Sequence, residues 1–344
     1  MKIIGIDGGA TKVSGGVVKK VNDYTFRLLD PVIEIKYSDQ EKFDPNFSPI
    51  PLSDQLNGFK ISEQESNQSR VYVNCIKKVI TSLADDDLFR VSIAMPGIKM
   101  DNGRGIKAMV NGPRIPDFCD QIESGLKLHY SIQKLENDSD MCAWGEEFCE
   151  DGAFRNIDNA YYIGGGTGTA DGLKLQGRLI PFDDISEWIG KTWELKTEEG
   201  HSLESFSSMF GINQLRESES KDFDLIIAQI LGKLLFERIM TIFSGWKSQF
   251  IIDRTLQTNH PYQNTFLDRI VIGQRLSAFL QTEEGSVIYS AMLDSLTQMA
   301  LESNVLIQEH FIDNDQFDEN RIILSDLRFS PIIGLGAKAW METC

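Results

Sequence analysis

Two segments of this chain repeat one local design, and that repetition limits its fold more than any other feature. The first runs Lys2-Ile3-Ile4-Gly5-Ile6, then Asp7-Gly8-Gly9-Ala10-Thr11-Lys12, then Val13 to Val18. The second runs Ala160-Tyr161-Tyr162-Ile163, then Gly164-Gly165-Gly166-Thr167-Gly168-Thr169, then Ala170 to Leu175. Each reads as a short apolar strand, a Gly/Thr turn and a returning strand. The two lie roughly half a chain apart, which points to duplicated halves rather than a short-period solenoid.

Between and after them, strand and helix patterns alternate. Apolar spacing predicts a helix over Val71–Leu83, a strand over Phe89–Met95 running into Pro96-Gly97, and a helix over Asp117–Leu128. A strand over Tyr130–Leu135 follows, then a helix over Asp140–Glu150 with Asp138 or Ser139 as its cap. After Ser202 the chain turns helical, notably over Asp222–Trp246. Arg269–Gly273 reads as a strand ending in a turn, Arg321–Leu324 as a late strand, and Pro331 opens a helix through Trp340. Such alternation argues for an α/β architecture. Residues 31–70 hold Pro31, Pro45, Pro49 and Pro51 among polar residues and read as an insertion or flap.

Three places could carry chemistry. In the turn from Asp7 to Lys12, glycines let backbone N–H groups approach phosphate oxygens, and Thr11 and Lys12 add donors. Asp7, at the end of a buried strand, could hold magnesium directly or through water. Read alone, Asp-Gly-Gly is equally an ordinary tight turn. It is not a Walker A loop, since G-x-x-x-x-G-K-[ST] is absent, nor the G-x-G-x-x-G fingerprint, since a returning strand rather than a helix follows. The turn Gly164 to Thr169 is denser, with four glycines and two threonines, and reads as a phosphate site more than as a mere connection. The third place is Glu136-Asn137-Asp138-Ser139-Asp140: a carboxylate at a strand-to-helix junction can accept a proton from a substrate hydroxyl, though Asp and Ser there are also ordinary caps.

At 344 residues the chain has room for two domains with their own cores, and its 41% hydrophobic and 25% charged residues are those of an ordinary soluble protein. A formal charge of -17 argues against nucleic acid or an anionic membrane as partner, because phosphates would be repelled. Nucleotide is still compatible, since backbone amides and a metal ion shield phosphate locally. No stretch approaches the roughly 20 apolar residues of a membrane span, and MKIIGIDGGA reads as a first strand rather than a signal peptide. The five cysteines, Cys75, Cys119, Cys142, Cys149 and Cys344, contain no C-x-x-C pair. None of His129, His201, His260 and His310 lies near two of them at ligand spacing. Reduced thiols in a cytoplasm, and no structural zinc, are expected.

Taken in order, these pieces resemble the ROK family of sugar kinases within the actin/hexokinase/Hsp70 superfamily. The matching stretches are GIDGGATK at the start, AMPG at 94–97, VNGPRIPDF at 110–118, ENDSDMCAWGE at 136–146 and GGGTGTADG at 164–172. They continue as EWIGK at 187–191, SLESFSS at 202–208, IVIGQRLS at 270–277 and PIIGLGAKA at 331–339. The resemblance implies an α/β protein of two ribonuclease H-like (actin-like ATPase) half-domains, mixed sheets flanked by helices, with a ligand cleft between them. Residues 1–116 would form the smaller domain and 117–330 the larger, with 331–344 packing back on the first.

It also implies ATP and Mg2+ as cofactors, a sugar as small-molecule substrate, and a homodimer. Asp138 would be the base that deprotonates the sugar hydroxyl. Sugar contacts would fall on Asn111, Asn137, Glu187 and Glu204, with Lys191 where the family has a histidine. Asp7, Gly8, Gly9, Thr11 and Lys12, together with Gly166, Thr167, Gly168, Thr169 and Gly273, would serve the nucleotide.

Five departures bear on this. Thr192–Ser202 lacks the family's cysteine cluster, so no zinc is expected. Lys191 adds a cation that suits a non-glucose, anionic substrate, or is merely solvent-exposed. Ala10 stands where the family has a glycine and Gln274-Arg275 where it prefers glycines, and Gln274 puts a side chain where backbone should approach the nucleotide. Asp171, usually glycine, adds negative charge near the phosphate turn and could serve magnesium or mark decay. Two other readings follow: a catalytically weakened sugar sensor, or the N-acetylglucosamine kinase/BadF-type ATPase group, whose opening motif is similar. A DNA-binding repressor is disfavoured because the chain opens on its first strand, without a helix-turn-helix.

Overall fold

The computed structural model describes residues 2–85, 88–217 and 223–342; Asp222, expected to open a helix, and Cys344 fall outside these. The chain divides into two compact units, one made of residues 1–150 with 329–344, the other of residues 151–328.

In the first unit, β1 (Lys2–Gly8), β2 (Lys12–Asn22) and β3 (Thr25–Lys36) form an antiparallel meander. Helices α1 (Leu52–Leu56) and α2 (Glu63–Leu83) lead to β4 (Phe89–Ala94), which pairs parallel to β1, giving the order β3-β2-β1-β4. A two-stranded ribbon, β5 (Ile98–Lys99) with β6 (Ile106–Ala108), precedes α3 (Phe118–Gly125) and α4 (Asp138–Phe148). The period-2 pattern of β1 sends Ile4 and Ile6 into one core with Val71, Cys75, Ile76 and Val79 of α2. Phe118, Cys119, Ile122 and Leu135 enter that same core, so the boundary expected at residue 116 lies instead after Glu150.

The segment read as a flap is part of this unit. Its start is edge strand β3, where Pro31 is tolerated because an edge strand leaves backbone N–H groups unpaired. Its later part is tied down by Gln55, Glu65 and Gln68, all buried. The expected strand at 130–135 does not form; only Glu136 pairs, in one bridge to Ala94.

In the second unit, β7 (Ala160–Gly165), β8 (Thr169–Leu175) and β9 (Arg178–Leu179) form a second meander. Helices α5 (Glu204–Ser207), α6 (Met209–Glu217) and α7 (Phe223–Ser244) precede β10 (Arg269–Gly273), which pairs parallel to β7. Next come α8 (Gln274–Leu280), α9 (Glu283–Leu301), α10 (Val305–Phe311), the ribbon β11 (Ile312–Asp313) with β12 (Gln316–Phe317), and β13 (Ile322–Leu324) parallel to β10. The sheet order is β13-β10-β7-β8-β9. Both units thus place a hairpin beside a parallel strand, the duplication expected from the paired Gly turns. Every residue of β7 is buried, as a strand covered on both faces requires.

The chain then rejoins the first unit as α11 (Ser330–Met341), which packs on β1, β2 and α4. Among the described residues no helix is long and apolar enough to cross a membrane.

Candidate active site

In the first unit, the expected residues gather at the C-terminal end of a parallel strand pair. Asp7 lies opposite Ala94 in the β1–β4 register, and Ala94 bridges Glu136 in parallel sense. The Glu136 N–H donates to the Ile93 carbonyl at 2.9 Å, and the Met95 N–H to the Glu136 carbonyl at 3.3 Å. Asp138 follows two residues later as the first residue of α4. Open α/β sheets bind their ligands at this end.

The cap of α4 is Asn137, not Asp138 or Ser139: its Oδ1 accepts the Ser139 N–H at 3.0 Å. An Asn at N-cap leaves the carboxylate of Asp138 outside the capping bond. Helix α4 is seated against α11 at glycines, since a Cβ on Gly145 would stand 2.1 Å from the Ser330 carbonyl oxygen. Lys338 of α11 also donates to Glu136 Oε1 at 3.0 Å.

Asp7 is half-buried, and enclosure by neighbouring atoms pushes its carboxyl up to about 7. The charge of Asp138 adds to the rise, the Lys12 cation opposes it, and Glu34 adds again. Such a carboxyl favours a nearby cation. Lys12, expected on phosphate, is ion-paired with Glu34, whose Oε1 also accepts from Ser14 Oγ at 2.9 Å. Glu34 lay hidden in the polar segment read as a flap.

The turn itself is fastened from the protein side. The Gly9 N–H donates to the Lys12 carbonyl at 2.9 Å, the Tyr37 N–H to the Thr11 carbonyl at 3.1 Å, and the Tyr72 hydroxyl to the Ala10 carbonyl at 2.6 Å. The Tyr37 and Tyr72 rings stack with centroids 3.7 Å apart. Ala10 packs on the core and does not take a left-handed backbone, so its methyl is accommodated. Gly8 closes β1 opposite Val13.

Asn111 sits exposed on the turn after β6, and its side chain makes no hydrogen bond among the described residues. That turn is fixed at both ends by residues that sequence reasoning missed. Gln55 Oε1 accepts the Met109 N–H at 2.9 Å, while buried Arg114 donates through Nε and Nη2 to the two oxygens of Glu65 at 2.8 and 2.6 Å.

In the second unit, Gly166, Thr167 and Gly168 form the turn between β7 and β8, closed by the Gly166 N–H on the Gly168 carbonyl at 2.9 Å. Glu204 Oε1 accepts the Thr169 N–H at 3.0 Å, and the Thr169 and Ser207 hydroxyls are 2.7 Å apart. An expected sugar contact and an expected nucleotide contact therefore meet in one hydrogen bond. Gly273 ends β10 opposite Gly164, and α8 begins at once rather than after a turn. Gln274, its first residue, has φ 57° and stands in bridge partnership with Gly165.

Glu187 and Lys191 lie on a segment that Arg254 holds. Arg254 donates to Glu194 at 3.0 and 2.9 Å and to the Ile189 carbonyl at 3.2 Å, and Glu194 in turn accepts the Lys191 N–H at 2.8 Å. Glu187 accepts from the Gln257 side chain at 3.2 Å. Lys191 Nζ is 2.6 Å from exposed Asp183, so this cation comes already paired.

Asp171 is buried and both of its oxygens accept hydrogen bonds from the protein. Tyr161 Oη donates to Oδ1 at 2.7 Å, Thr192 Oγ1 to Oδ1 at 2.6 Å and the Thr192 N–H to Oδ2 at 2.8 Å. Fully buried Arg238 lies 3.4 Å from Oδ1 and 2.9 Å from Glu237 Oε2. This network fastens the start of the cysteine-free stretch 192–202. Among the described residues no cluster of three or more His, Cys, Asp or Glu could hold a metal ion.

No family model and no curated protein matches the sequence. Solved structures do match by fold. A ROK family glucokinase from Streptomyces griseus, in complex with glucose and AMPPNP, superposes with a TM-score of 0.60 at 15% identity, over 99% of this chain and 100% of that one. An inorganic polyphosphate/ATP-glucomannokinase from Arthrobacter sp. strain KM gives 0.58 at 15% identity, over 99% of each chain. A ROK family transcriptional regulator, homolog of the E. coli MLC protein, gives 0.53 at 14% identity, over 98% of this chain and 78% of that one. The chain therefore shares the mixed α/β fold of these ROK structures, with sheets flanked by helices in both units.

Proposed function

We propose that the chain is a carbohydrate kinase that transfers the γ-phosphoryl group of ATP to a sugar hydroxyl. The observation that carries this reading is the pairing of Asp7, at the end of β1, with Asp138, at the start of α4 and joined to the neighbouring strand through Glu136. Asp138 takes the hydroxyl proton, the sugar oxygen forms its bond to the γ-phosphorus, and the bond from that phosphorus to the β–γ bridging oxygen breaks to release ADP. Phosphoryl transfer of this kind rests on positioning and charge neutralisation.

Asp7 fits a magnesium ion, directly or through water, because its raised carboxyl and the adjoining charge of Asp138 both favour a cation. One or two carboxylates suffice where substrate phosphates complete the shell. When bound, the ion neutralises charge on the phosphate oxygens. Gly8, Gly9 and Thr11, and in the second unit Gly166, Thr167, Gly168, Thr169 and Gly273, supply the nucleotide turns. Asn111, Asn137, Glu187, Lys191 and Glu204 serve the sugar.

The test is a panel of neutral and anionic sugars with Mg-ATP, read as ADP release, on wild type and Asp138→Asn. Activity lost in the variant with sugar binding kept supports Asp138 as base. A weakened sensor is the second reading, favoured by the Lys12–Glu34 pair and by Gln274 beside the second turn. Sugar binding with no ADP from any sugar would select it.

A further inference from the structure

Gln274 combines two observations that neither the strand β10 nor the helix α8 needs. Its φ of 57° lies in the left-handed region, which costs a residue with a Cβ about 1–2 kcal/mol and is adopted routinely by glycine alone. Its carboxamide also reaches back over the glycine turn: Oε1 lies 3.4 Å from the point where a Cβ on Gly166 would stand. The backbone bridge between Gly165 and Gln274 fixes the start of the side chain, so the reach is set by the sheet and not by a free loop. A strained residue whose side chain covers a site is a reason to ask what it does there.

We infer that the Gln274 carboxamide is a gate on the Gly166–Gly168 turn that sets the affinity for the phosphoryl donor. This inference rests on the nucleotide role proposed above for that turn. With the carboxamide against Gly166, a phosphate that approaches the turn meets this side chain first. Nucleotide binds only after the side chain rotates away, so the apparent affinity is reduced by the fraction of molecules in which the turn is open. Gln274 is thus a specificity-determining residue for the donor and takes no part in the proton transfer assigned to Asp138.

The experiment is calorimetric binding of Mg-AMPPNP and Mg-ADP to the full chain as wild type, Gln274→Gly and Gln274→Ala, with folding checked by thermal melting. Both variants lose the carboxamide, and only the glycine also relieves the left-handed backbone. The expected result is a nucleotide Kd lowered about fivefold or more in both variants, as removal of a closed state requires. In steady-state assays the KM for ATP falls while the KM for sugar stays unchanged. Weaker binding in both would overturn the gate and make the carboxamide a nucleotide contact. Tightening in glycine alone would overturn it in favour of backbone strain, and unchanged Kd in both variants would also reject it while leaving the kinase reading intact. Absence of nucleotide binding in all three proteins defeats that reading and this inference together.

Discussion

The N–H of Glu136 donates to the carbonyl of Ile93 at 2.9 Å, and this bond governs where Asp138 stands. It extends the parallel order from β1 through β4 to a third chain segment, so that α4 starts level with the end of β1. Asp7 and Asp138 then sense each other electrostatically although they are far apart in sequence. Their coupling supplies the first prediction.

Burial and the charge of Asp138 hold the Asp7 carboxyl near 7, against 3.8 for the unperturbed group. The folded state therefore binds the proton more tightly than the unfolded chain, and stability falls as pH rises from about 4 to about 7. At pH 8 without magnesium, Asp7→Asn should be more stable than wild type by on the order of 2 kcal/mol. Added Mg2+ should raise the wild-type Tm at pH 8 more than at pH 5, and leave the variant unmoved. Thermal melts across pH and magnesium check this; a wild-type Tm indifferent to both would remove Asp7 as the cation site.

Asn137 has two candidate roles, helix cap and sugar contact. Asn137→Ala should lose about 1 kcal/mol of stability through the missing cap and lower kcat by letting the first turn of α4 fray around Asp138. Asn137→Ser keeps an oxygen able to accept the Ser139 N–H, so stability and kcat should return. If its amide touches substrate, the sugar KM stays raised in the serine variant. Denaturant titration beside steady-state kinetics separates the roles, and full recovery of every parameter by serine would leave Asn137 as a cap alone.

How much of this was legible beforehand depended on whether partners were local. The two hairpins could be read because a Gly/Thr turn between β-rich runs is a local signal, and Asp138 because it belongs to a contiguous motif. The packing of segment 31–70 is not legible locally, because an edge strand can carry proline and polar residues, and a buried glutamate looks like an exposed one until its arginine is known. Glu65 and Arg114 are 49 residues apart in sequence. The surroundings of Asp171 are hidden in sequence for the same reason: the Arg238 that shares its site is 67 residues away. The domain boundary moved because residues 118–135, though beyond the Asn111 turn, bury their apolar side chains under the first sheet.

The Asp171–Arg238 network leads to a third prediction. Arg238 is fully buried between Asp171 and Glu237, and burial pushes the Glu237 carboxyl upward. Removing one partner of a buried ion pair leaves an uncompensated charge, so Arg238→Met should destabilise by about 3–5 kcal/mol. Asp171→Asn in that background should recover part of the loss, because an amide needs no counter-charge. The same variants should raise the sugar KM, since Thr192 adjoins Lys191. Additive effects in a double-mutant cycle would show that the two side chains do not act as a unit.

The contact between α4 and α11 gives the last prediction. A methyl on Gly145 would stand 2.1 Å from the Ser330 carbonyl oxygen, and because that atom is backbone the helices themselves must part. Overpacking of this kind costs about 1–3 kcal/mol. Asp138 sits at the start of the displaced helix, so Gly145→Ala should lower kcat at a temperature where the variant is still folded, while nucleotide affinity changes little. Ser330→Ala is the matched control at the same contact. It keeps the carbonyl and deletes a buried hydroxyl that has no hydrogen-bond partner among the described residues, so its stability should be equal or slightly higher and its activity intact. Melting curves and kinetics on the pair decide the matter. If Gly145→Ala lost stability but kept wild-type kcat below its melting point, the α4–α11 seat would be structural only, and Asp138 would owe its place to the Ile93–Glu136 bond rather than to helix packing.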